Sequence, residues 1–442
     1  MKPQRGRKRM AMSILSRLLA RPPESGDPLD GQIDAEALTE VDESQSTNPE
    51  WLVTDLLEYS LALGASDIFL STNENDIDIS VRHLGIIRQV ARLSLDVGVR
   101  CMAYIRGAAG MKHAEKRHPQ DGRWVLHRPD AEPVDLRLST LPTLYGESMA
   151  MRILRRDSQL RNLKHLGFIG PQLGQMQSLL HSPGGLILVT GPTGSGKTTT
   201  LYACLHYLND GRRKIHTIED PVEYAVPGLR QSQVDEATGA GFAEMLRAIL
   251  RQGPDVIMVG EIRDEATAET AVRAANSGQL VFATVHAPLA AVAIHTMLGL
   301  GIRPYNLCSG LLGVISQRLM RVLNPETRVP IDLAAAPHTF DEVRQWLEPD
   351  EGQTVYTSPG QSSNNEAYWF VRRTGIYEIM VTSPTLRKMI CELKPASALE
   401  QAAIEEGMID LRRATLLKIA KGLTSFDEMQ REVPSGTLWV DE

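Results

Sequence analysis

The chain is short of several things, and each shortage closes off a class of protein. Its 442 residues hold four cysteines, Cys101, Cys204, Cys308 and Cys391, all far apart and none in a C-x-x-C pair. That argues against a disulfide framework and against a zinc site built from the chain's own thiols, and it fits a reducing, cytoplasmic compartment. Aromatic residues are 5% of the chain and the formal net charge is −7, so no basic, aromatic-bearing groove for nucleic acid is expected. No apolar run reaches the ~18 residues that a membrane span requires. The remaining composition, 42% hydrophobic and 23% charged, is that of a globular protein, and the length suggests two or three domains.

What is present centres on Gly184 to Thr200. Leu186 to Val189 is a short apolar run, as for an inner strand of a parallel sheet. Gly191-Pro192-Thr193-Gly194-Ser195-Gly196-Lys197-Thr198 fits G-x-x-x-x-G-K-[ST] at every fixed position, and Thr199 continues into a helix start. Glycines let backbone N–H groups turn around phosphate oxygens, Lys197 adds a point charge at the β- and γ-phosphates, and Thr198 offers a hydroxyl to Mg²⁺. The strand before and the helix after set this apart from a chance glycine-rich turn.

In chain order, residues 1–23 carry Lys2, Arg5, Arg7, Lys8, Arg9, Arg17 and Arg21 around a short apolar piece. A disordered basic tail and a basic amphipathic turn touching a membrane or a partner both fit. Residues 22–50 read as a flexible acidic linker, so 1–50 form one disordered basic/acidic segment. Structure begins near Trp51 with an amphipathic helix ending at Gly64. Strands are expected at 67–70, 77–82, 123–127, 134–140 and 149–154, with a helix over 94–116, giving a small α+β domain over 51–155. A charged connector follows at 156–160. From 161 to 325 strands ending at Val189, Ile218, Glu261 and His286 alternate with helices around 171–181, 243–252 and 266–277, the pattern of a doubly wound parallel sheet. In such sheets ligands gather at the carboxyl ends of the strands. Residues 289–325 and 383–433 read as mostly helical, and 326–367 as a loop-rich surface excursion, so 326–442 form a C-terminal loop and helical region.

A strand ending in an acid some distance after the glycine loop is what nucleotide hydrolysis needs, since one carboxylate must hold the Mg²⁺ shell and one must polarise water. Glu261 is placed to be the base. Glu219, Asp220 and Glu223 supply further anionic groups. For each acid alone, a helix cap or a solvated loop carboxylate is the plainer role.

Taken together, these motifs resemble the type II/type IV secretion ATPase superfamily. Ile218 to Tyr224 matches its Asp box, and Leu246 to Gln252 with Val259 to Asp264 its Walker B region. Ala114 to Arg117, Asp121 to Arg123 and Ser139 to Thr143 match the domain before the motor. Gln317-Arg318-Leu319, Gly375 to Glu378 and Gly407-Met408 match the part after it, so the likeness covers about 51–433. The resemblance implies an α/β fold, with a RecA-like P-loop motor domain preceded by a small PAS-like α+β domain and followed by a helical C-terminal region. It implies a hexameric ATPase that uses ATP and Mg²⁺ and powers type II secretion pseudopilus or type IV pilus assembly. Such a motor works at the cytoplasmic side of the inner membrane through platform proteins. Lys197 and Thr198 would bind phosphate and metal, Glu261 would be the general base, and Glu219 and Glu223 would support metal and water, Glu219 as a metal contact. Arginines reaching the nucleotide map onto Arg137 and Arg152 in the first domain and Arg247 and Arg251 in the second. A surface salt bridge is the plainer role for any one of them.

Departures from the family pattern shape the rest. The first histidine of the family's His box is replaced by Gln279, leaving His286 as a γ-phosphate sensor or a strand-end cap. Asn324 and Thr327 stand where assembly-type members carry a zinc-binding cysteine pair, and Gln361 and Asn364 lie near the second, so no zinc is expected. The segment before Trp51 leaves no room for the large N-terminal domain through which many secretion E proteins meet their membrane partner. Pilus retraction is the nearest rival function. A nucleotide-dependent scaffold would be expected to lose Lys197 or Glu261, and a DNA-translocating motor would need the basic groove excluded above.

Overall fold

The computed structural model describes residues 48–112, 115, 117–128, 131–154, 162–235, 239–333, 336, 338–360 and 368–433. The basic N-terminal tail, the connector at 156–160, and Gln361 and Asn364 lie outside them. The chain divides into two compact units, Met1–Arg156 and Asp157–Glu442.

In the first unit, Asn48 caps helix α1 (Pro49–Leu63) by accepting from the Glu50 N–H at 2.9 Å, and Gly64 ends it in the left-handed conformation. Strands β1 (Asp67–Thr72), β2 (Asp76–His83) and β3 (Ile86–Ser94) follow, then α2 (Leu95–Ala108), β4 (Gln120–Arg128), β5 (Ala131–Thr143) and β6 (Gly146–Leu154). They form an antiparallel six-stranded sheet in the order β3-β2-β1-β6-β5-β4. Alternation puts Ile77, Ile79, Val81, Leu136, Leu138, Met149 and Met151 on the face that packs with α1 and α2. Two sequence expectations need correction. Strand β3 was not foreseen; it is turned out of β2 by Leu84 and Gly85, both at positive φ (50° and 87°), as a tight two-residue hairpin demands. The helix expected over 94–116 stops at Ala108, because Gly110 takes the left-handed conformation (φ 69°) and the Met111 N–H donates back to the Arg106 carbonyl at 3.0 Å.

The second unit opens with α3 (Gln172–Leu180), β7 (Gly185–Thr190), α4 (Lys197–Leu208), β8 (Ile215–Glu219), β9 (Arg230–Gln233), α5 (Phe242–Leu250), β10 (Val256–Val259), α6 (Glu265–Asn276), β11 (Leu280–Val285), α7 (Ala290–Gly299) and α8 (Pro304–Gly310). It continues with β12 (Leu311–Leu323), β13 (Val329–Ile331), β14 (Val355–Thr357), β15 (Phe370–Val381), α9 (Pro384–Cys391), α10 (Ala396–Glu405), α11 (Leu411–Ala420) and α12 (Phe426–Glu432). Its main sheet runs β15-β12-β7-β11-β10-β8-β9, parallel except where β15 runs antiparallel to β12. Apolar cores lie on both faces, so β7, β10 and β11 are buried at every residue. The alternating pattern of the sequence is this sheet.

The helical expectation for 289–325 fails beyond Gly310: Leu311–Leu323 is a strand inside the sheet, between β15 and β7. Covered on both faces, it is buried at almost every residue, Ser316, Gln317 and Arg318 included, so its sequence shows no alternation that would mark a strand. No strand is expected at β15 either, whose buried stretch from Thr374 to Met380 mixes apolar and polar residues without alternation. The helices expected over 383–433 are α9 to α12, and the described residues of 326–367 are mostly loop, with the small β13–β14 ladder and a 3-10 helix over Asp341–Trp346.

The side chains of Cys308 and Cys391 are brought together between α8 and α9, with Cα atoms 6.5 Å apart, within the range a disulfide spans, a proximity that corrects the expectation of four cysteines far apart. Their separation of 83 residues gave the sequence no sign of it. Asn324 and Thr327 close the base of the excursion by hydrogen bonds. Asn324 Nδ2 and Thr327 Oγ1 donate to the Tyr368 carbonyl at 2.8 and 3.3 Å, and the Asn324 N–H donates to the Trp369 carbonyl at 2.8 Å. Metal analysis of protein purified without chelators is therefore expected to find no stoichiometric zinc. A full complement of bound zinc would overturn this assignment of the closure.

Candidate active site

The site forms where β7, β10 and β11 end together. Thr190, the last residue of β7, is fully buried; its hydroxyl lies 3.0 Å from the Val285 carbonyl and 2.8 Å from that of Ala287, and it accepts from the Ala287 N–H at 2.8 Å. This stitches the end of β7 to the loop that carries His286. The glycine-rich loop then runs from Gly191 to Gly196, with Gly194 and Gly196 in the left-handed region (φ 78° and 88°), and enters α4 at Lys197. Pro192, Thr193, Gly194 and Thr198 are exposed, Thr199 is half-buried, and Ser195 is buried.

Lys197 Nζ donates to the carbonyls of Gly191 at 2.8 Å and Pro192 at 3.1 Å. Burial holds its pKa below the usual lysine value; the carboxylate of Glu261 opposes that shift and the charge of Arg318 adds to it. Lys197 is thus a partly desolvated ammonium resting on carbonyls, a group that gains from an incoming anion.

Glu261 follows β10. Its Oε1 lies 2.8 Å from His286 Nε2, while Oε2 accepts from Arg263 Nε at 2.7 Å. Beneath it, Thr284 Oγ1 donates to the Gly260 carbonyl at 2.5 Å and the Gly260 N–H donates to the Ile218 carbonyl at 2.7 Å, fixing the strand end. The structure therefore brings together Glu261 and His286, which the sequence placed separately at the ends of two strands. It adds Arg263, which the sequence offered only as part of a motif.

Glu219 behaves otherwise than expected. Its side chain is 4% exposed, and its carboxylate accepts from the Tyr202 hydroxyl, from Thr217 Oγ1 at 2.5 Å and from Gln231 Nε2 at 3.2 Å. Burial and that carboxylate push the Tyr202 phenol up. With so many internal donors, Glu219 is occupied in holding β8, α4 and β9 together rather than facing a metal directly. Glu223 is half-buried in the loop after β8. Arg247 and Arg251 are exposed on α5 and just beyond it, and Arg251 Nη1 donates to the Arg247 carbonyl at 3.2 Å.

Arg137 and Arg152 belong to the first unit, where they stand directly opposite each other on β5 and β6. The register extends the row: Arg82 faces Asp67, Asp67 faces Arg152, and Arg137 faces Arg123. Cross-strand partners share a face, so one transverse line carries four guanidiniums, on the opposite face from the apolar core. Asp67 pairs with Arg82 and Arg152 at 3.3 and 3.4 Å, and Asp135 accepts from Arg123 Nε at 2.9 Å.

Fold and site together define an α/β protein whose polar and charged side chains converge at the carboxyl ends of a parallel sheet, around a glycine-rich strand-to-helix turn. Residues 42–431 match the family model for type II/IV secretion system proteins, and the chain belongs to that family. It is 38% identical over 409 residues to the type II secretion system protein E of Dickeya dadantii, covering 92% of this chain and 78% of that one. It is 38% identical to the type II secretion system ATPase E of Vibrio cholerae, over 86% of this chain and 74% of that one. It is 37% identical to the type IV pilus assembly ATPase PilB of Thermus thermophilus, over 88% of this chain but only 43% of that longer protein. Among solved structures, the ADP-bound pilus retraction motor PilT superposes with a TM-score of 0.59 at 26% identity, covering 87% of this chain and 98% of that one. The Legionella pneumophila ATPase DotB, at 19% identity and a TM-score of 0.66 over 88% of this chain and 97% of that one, shares the fold.

Proposed function

We propose that this chain is a hexameric Mg-ATP-hydrolysing motor that drives assembly of a type II secretion pseudopilus or a type IV pilus. The observation that carries the reading is the meeting of two charged groups at one sheet edge. Lys197 opens α4 with its Nζ on the Gly191 and Pro192 carbonyls, and Glu261, aligned by His286 and Arg263, follows β10 at the same carboxyl edge of the sheet.

In this reading the N–H groups of Gly194 to Thr199 and the α4 N-terminus cradle the phosphates, and Lys197 leaves its two carbonyls for the β- and γ-phosphoryl oxygens. Mg²⁺ is usually held by one or two protein oxygens plus substrate phosphates. The exposed Thr198 hydroxyl fits that need, and Glu219 supports the site from behind. Held there, Mg²⁺ would supply charge neutralisation on the transferring phosphoryl group. Glu261 has carboxylate lone pairs left beside those used by His286 and Arg263, and accepts the proton of the attacking water. Water oxygen bonds to the γ-phosphorus, the bond to the bridging oxygen breaks, and ADP and phosphate leave. His286 and Arg263 keep the carboxylate in line. Arg247, Arg251, Arg137 and Arg152 supply positive charge to the phosphoryl oxygens when subunits assemble in a ring.

The names of relatives at 37–38% identity over most of the chain support assembly or secretion over the retraction reading, which rests on the PilT likeness at 26%. No helix among the described residues is long and apolar enough to cross a membrane. A place at the cytoplasmic face of the inner membrane would then come through platform proteins.

Assembly dependence is the test of the ring. ATPase rate per chain is expected to rise with protein concentration as rings form. Arg137→Ala is expected to cut turnover at least ~10-fold while leaving the melting temperature close to wild type, because a solvent-face strand arginine carries little of the core. A rate per chain that stays flat from monomer to hexamer, with Arg137→Ala fully active, would remove the first unit from catalysis.

A further inference from the structure

The last residue of β12 that pairs with β7 is Ser316, opposite Thr190, so Gln317 and Arg318 stand at the level where the glycine loop turns away. Neither has a role so far, yet both are buried, at 0% and 6% exposure. Along a strand successive side chains point to opposite faces, and these two use both. Gln317 Nε2 donates to the Ser195 carbonyl at 2.7 Å, in the heart of the glycine loop. Arg318 Nη2 donates to the Pro288 carbonyl at 2.7 Å, in the loop that carries His286, and its Nη1 donates to the Gln317 carbonyl at 2.9 Å. Ser316, on the same face as Arg318, donates to the same Pro288 carbonyl at 3.2 Å.

The fit is close. A Cβ on Gly191, which lies at φ 142°, would come within 2.5 Å of the Gln317 carbonyl oxygen and 3.3 Å of Arg318 Nη1. The glycine loop therefore rests directly on this strand. A guanidinium buried against carbonyls is a costly item for stability alone, and burial holds the Arg318 pKa below the usual arginine value. Such expense is characteristic of functional positions.

We propose that Gln317 and Arg318 are positioning residues for hydrolysis. Gln317 fixes the phosphate cradle, and Arg318 fixes the His286 loop relative to it, so that β12 sets the distance from the cradle to the Glu261–His286 pair. The proposal rests on the P-loop reading of residues 191–199.

The test uses full-length protein. Gln317→Leu is expected to raise the KM for Mg-ATP and the Kd for ADP roughly tenfold, with a smaller change in kcat, as the cradle loosens. Arg318→Lys cannot reach both carbonyls, and is expected to lower kcat roughly tenfold with KM near wild type. Because Arg318 acts through the His286 loop, adding Arg318→Lys to His286→Ala should cost little more than His286→Ala alone. A merely structural role would lower the melting temperature and leave the kcat and KM of the folded fraction alone. Should Arg318→Lys fail to fold, Ser316→Ala reads the same hold on Pro288 and is expected to lower kcat about twofold. Wild-type kcat and KM in the folded variants, or full additivity with His286→Ala, overturns the proposal. If Lys197→Ala loses turnover while these variants keep it, this inference alone fails. If Lys197→Ala keeps turnover, the P-loop reading fails first.

Discussion

Lys197→Ala protein is expected to lose ATP turnover, by at least ~10²-fold, and to bind nucleotide more weakly. The argument starts from where the ammonium sits. It is partly buried, it rests on two backbone carbonyls, and its pKa is depressed chiefly by burial, so the protein bears a desolvation cost that phosphate oxygens would relieve. Removing the side chain removes both the cost and the benefit. Alanine is also the strongest helix former, and residue 197 opens α4. The variant without nucleotide should therefore melt no lower than wild type. The added stability that Mg-ADP confers on wild type should shrink in the variant, because that gain tracks affinity. Steady-state phosphate release and thermal melts with and without Mg-ADP check both halves. Near-normal turnover in the purified variant would remove the P-loop assignment.

Glu261→Gln should separate chemistry from binding. The amide keeps the shape of the side chain and one acceptor oxygen, but it cannot take a proton from water. The expected outcome is Mg-ATP binding close to wild type with hydrolysis slower by at least ~10²-fold. The hydrogen bonds around the carboxylate sharpen the expectation, since either His286 or Arg263 can still meet the remaining oxygen and hold the strand end. Titration with a non-hydrolysable ATP analogue and a single-turnover measurement read the two effects apart. If hydrolysis persisted while binding fell, Glu261 would be a metal contact and the base would lie elsewhere.

The parts of the site that could be read from the sequence are those whose geometry is local. The glycine loop is legible because its backbone conformation depends on glycines at fixed offsets between a strand and a helix. Glu261 and His286 are legible because acids and histidines at strand ends face one edge of a parallel sheet. The parts that could not be read depend on distant segments. Glu219 looks like a second metal ligand until Tyr202 and Gln231 are brought against it from α4 and β9. Gln317 and Arg318 lie on a strand that reads as helix, because burial on both faces erased its alternation. Arg137 and Arg152 were picked out singly through the family resemblance, whereas their alignment with Arg82 and Arg123 exists only once the register of five strands is fixed.

That alignment has a consequence for how the protein responds to salt. Neighbouring strands lie about 4.8 Å apart. Arg123, Arg137 and Arg152 therefore stand on successive steps of the sheet, where facing like charges destabilise a strand pair to the extent that Asp67 and Asp135 do not offset them. Ordinary surface ion pairs weaken as ions are added, since the screening length falls from about 10 Å at 0.1 M to about 3 Å at 1 M. Here screening should act with the opposite sign. Sodium chloride should tighten β5 and β6 by relieving the crowding, and a polyvalent anion should do so at far lower concentration. Backbone amides of Leu136, Leu138, Met151 and Ile153 are expected to exchange more slowly with solvent as ionic strength rises. Faster exchange would mean that the pairs with Asp67 and Asp135 govern this sheet, and that the arginine row is already neutral in effect.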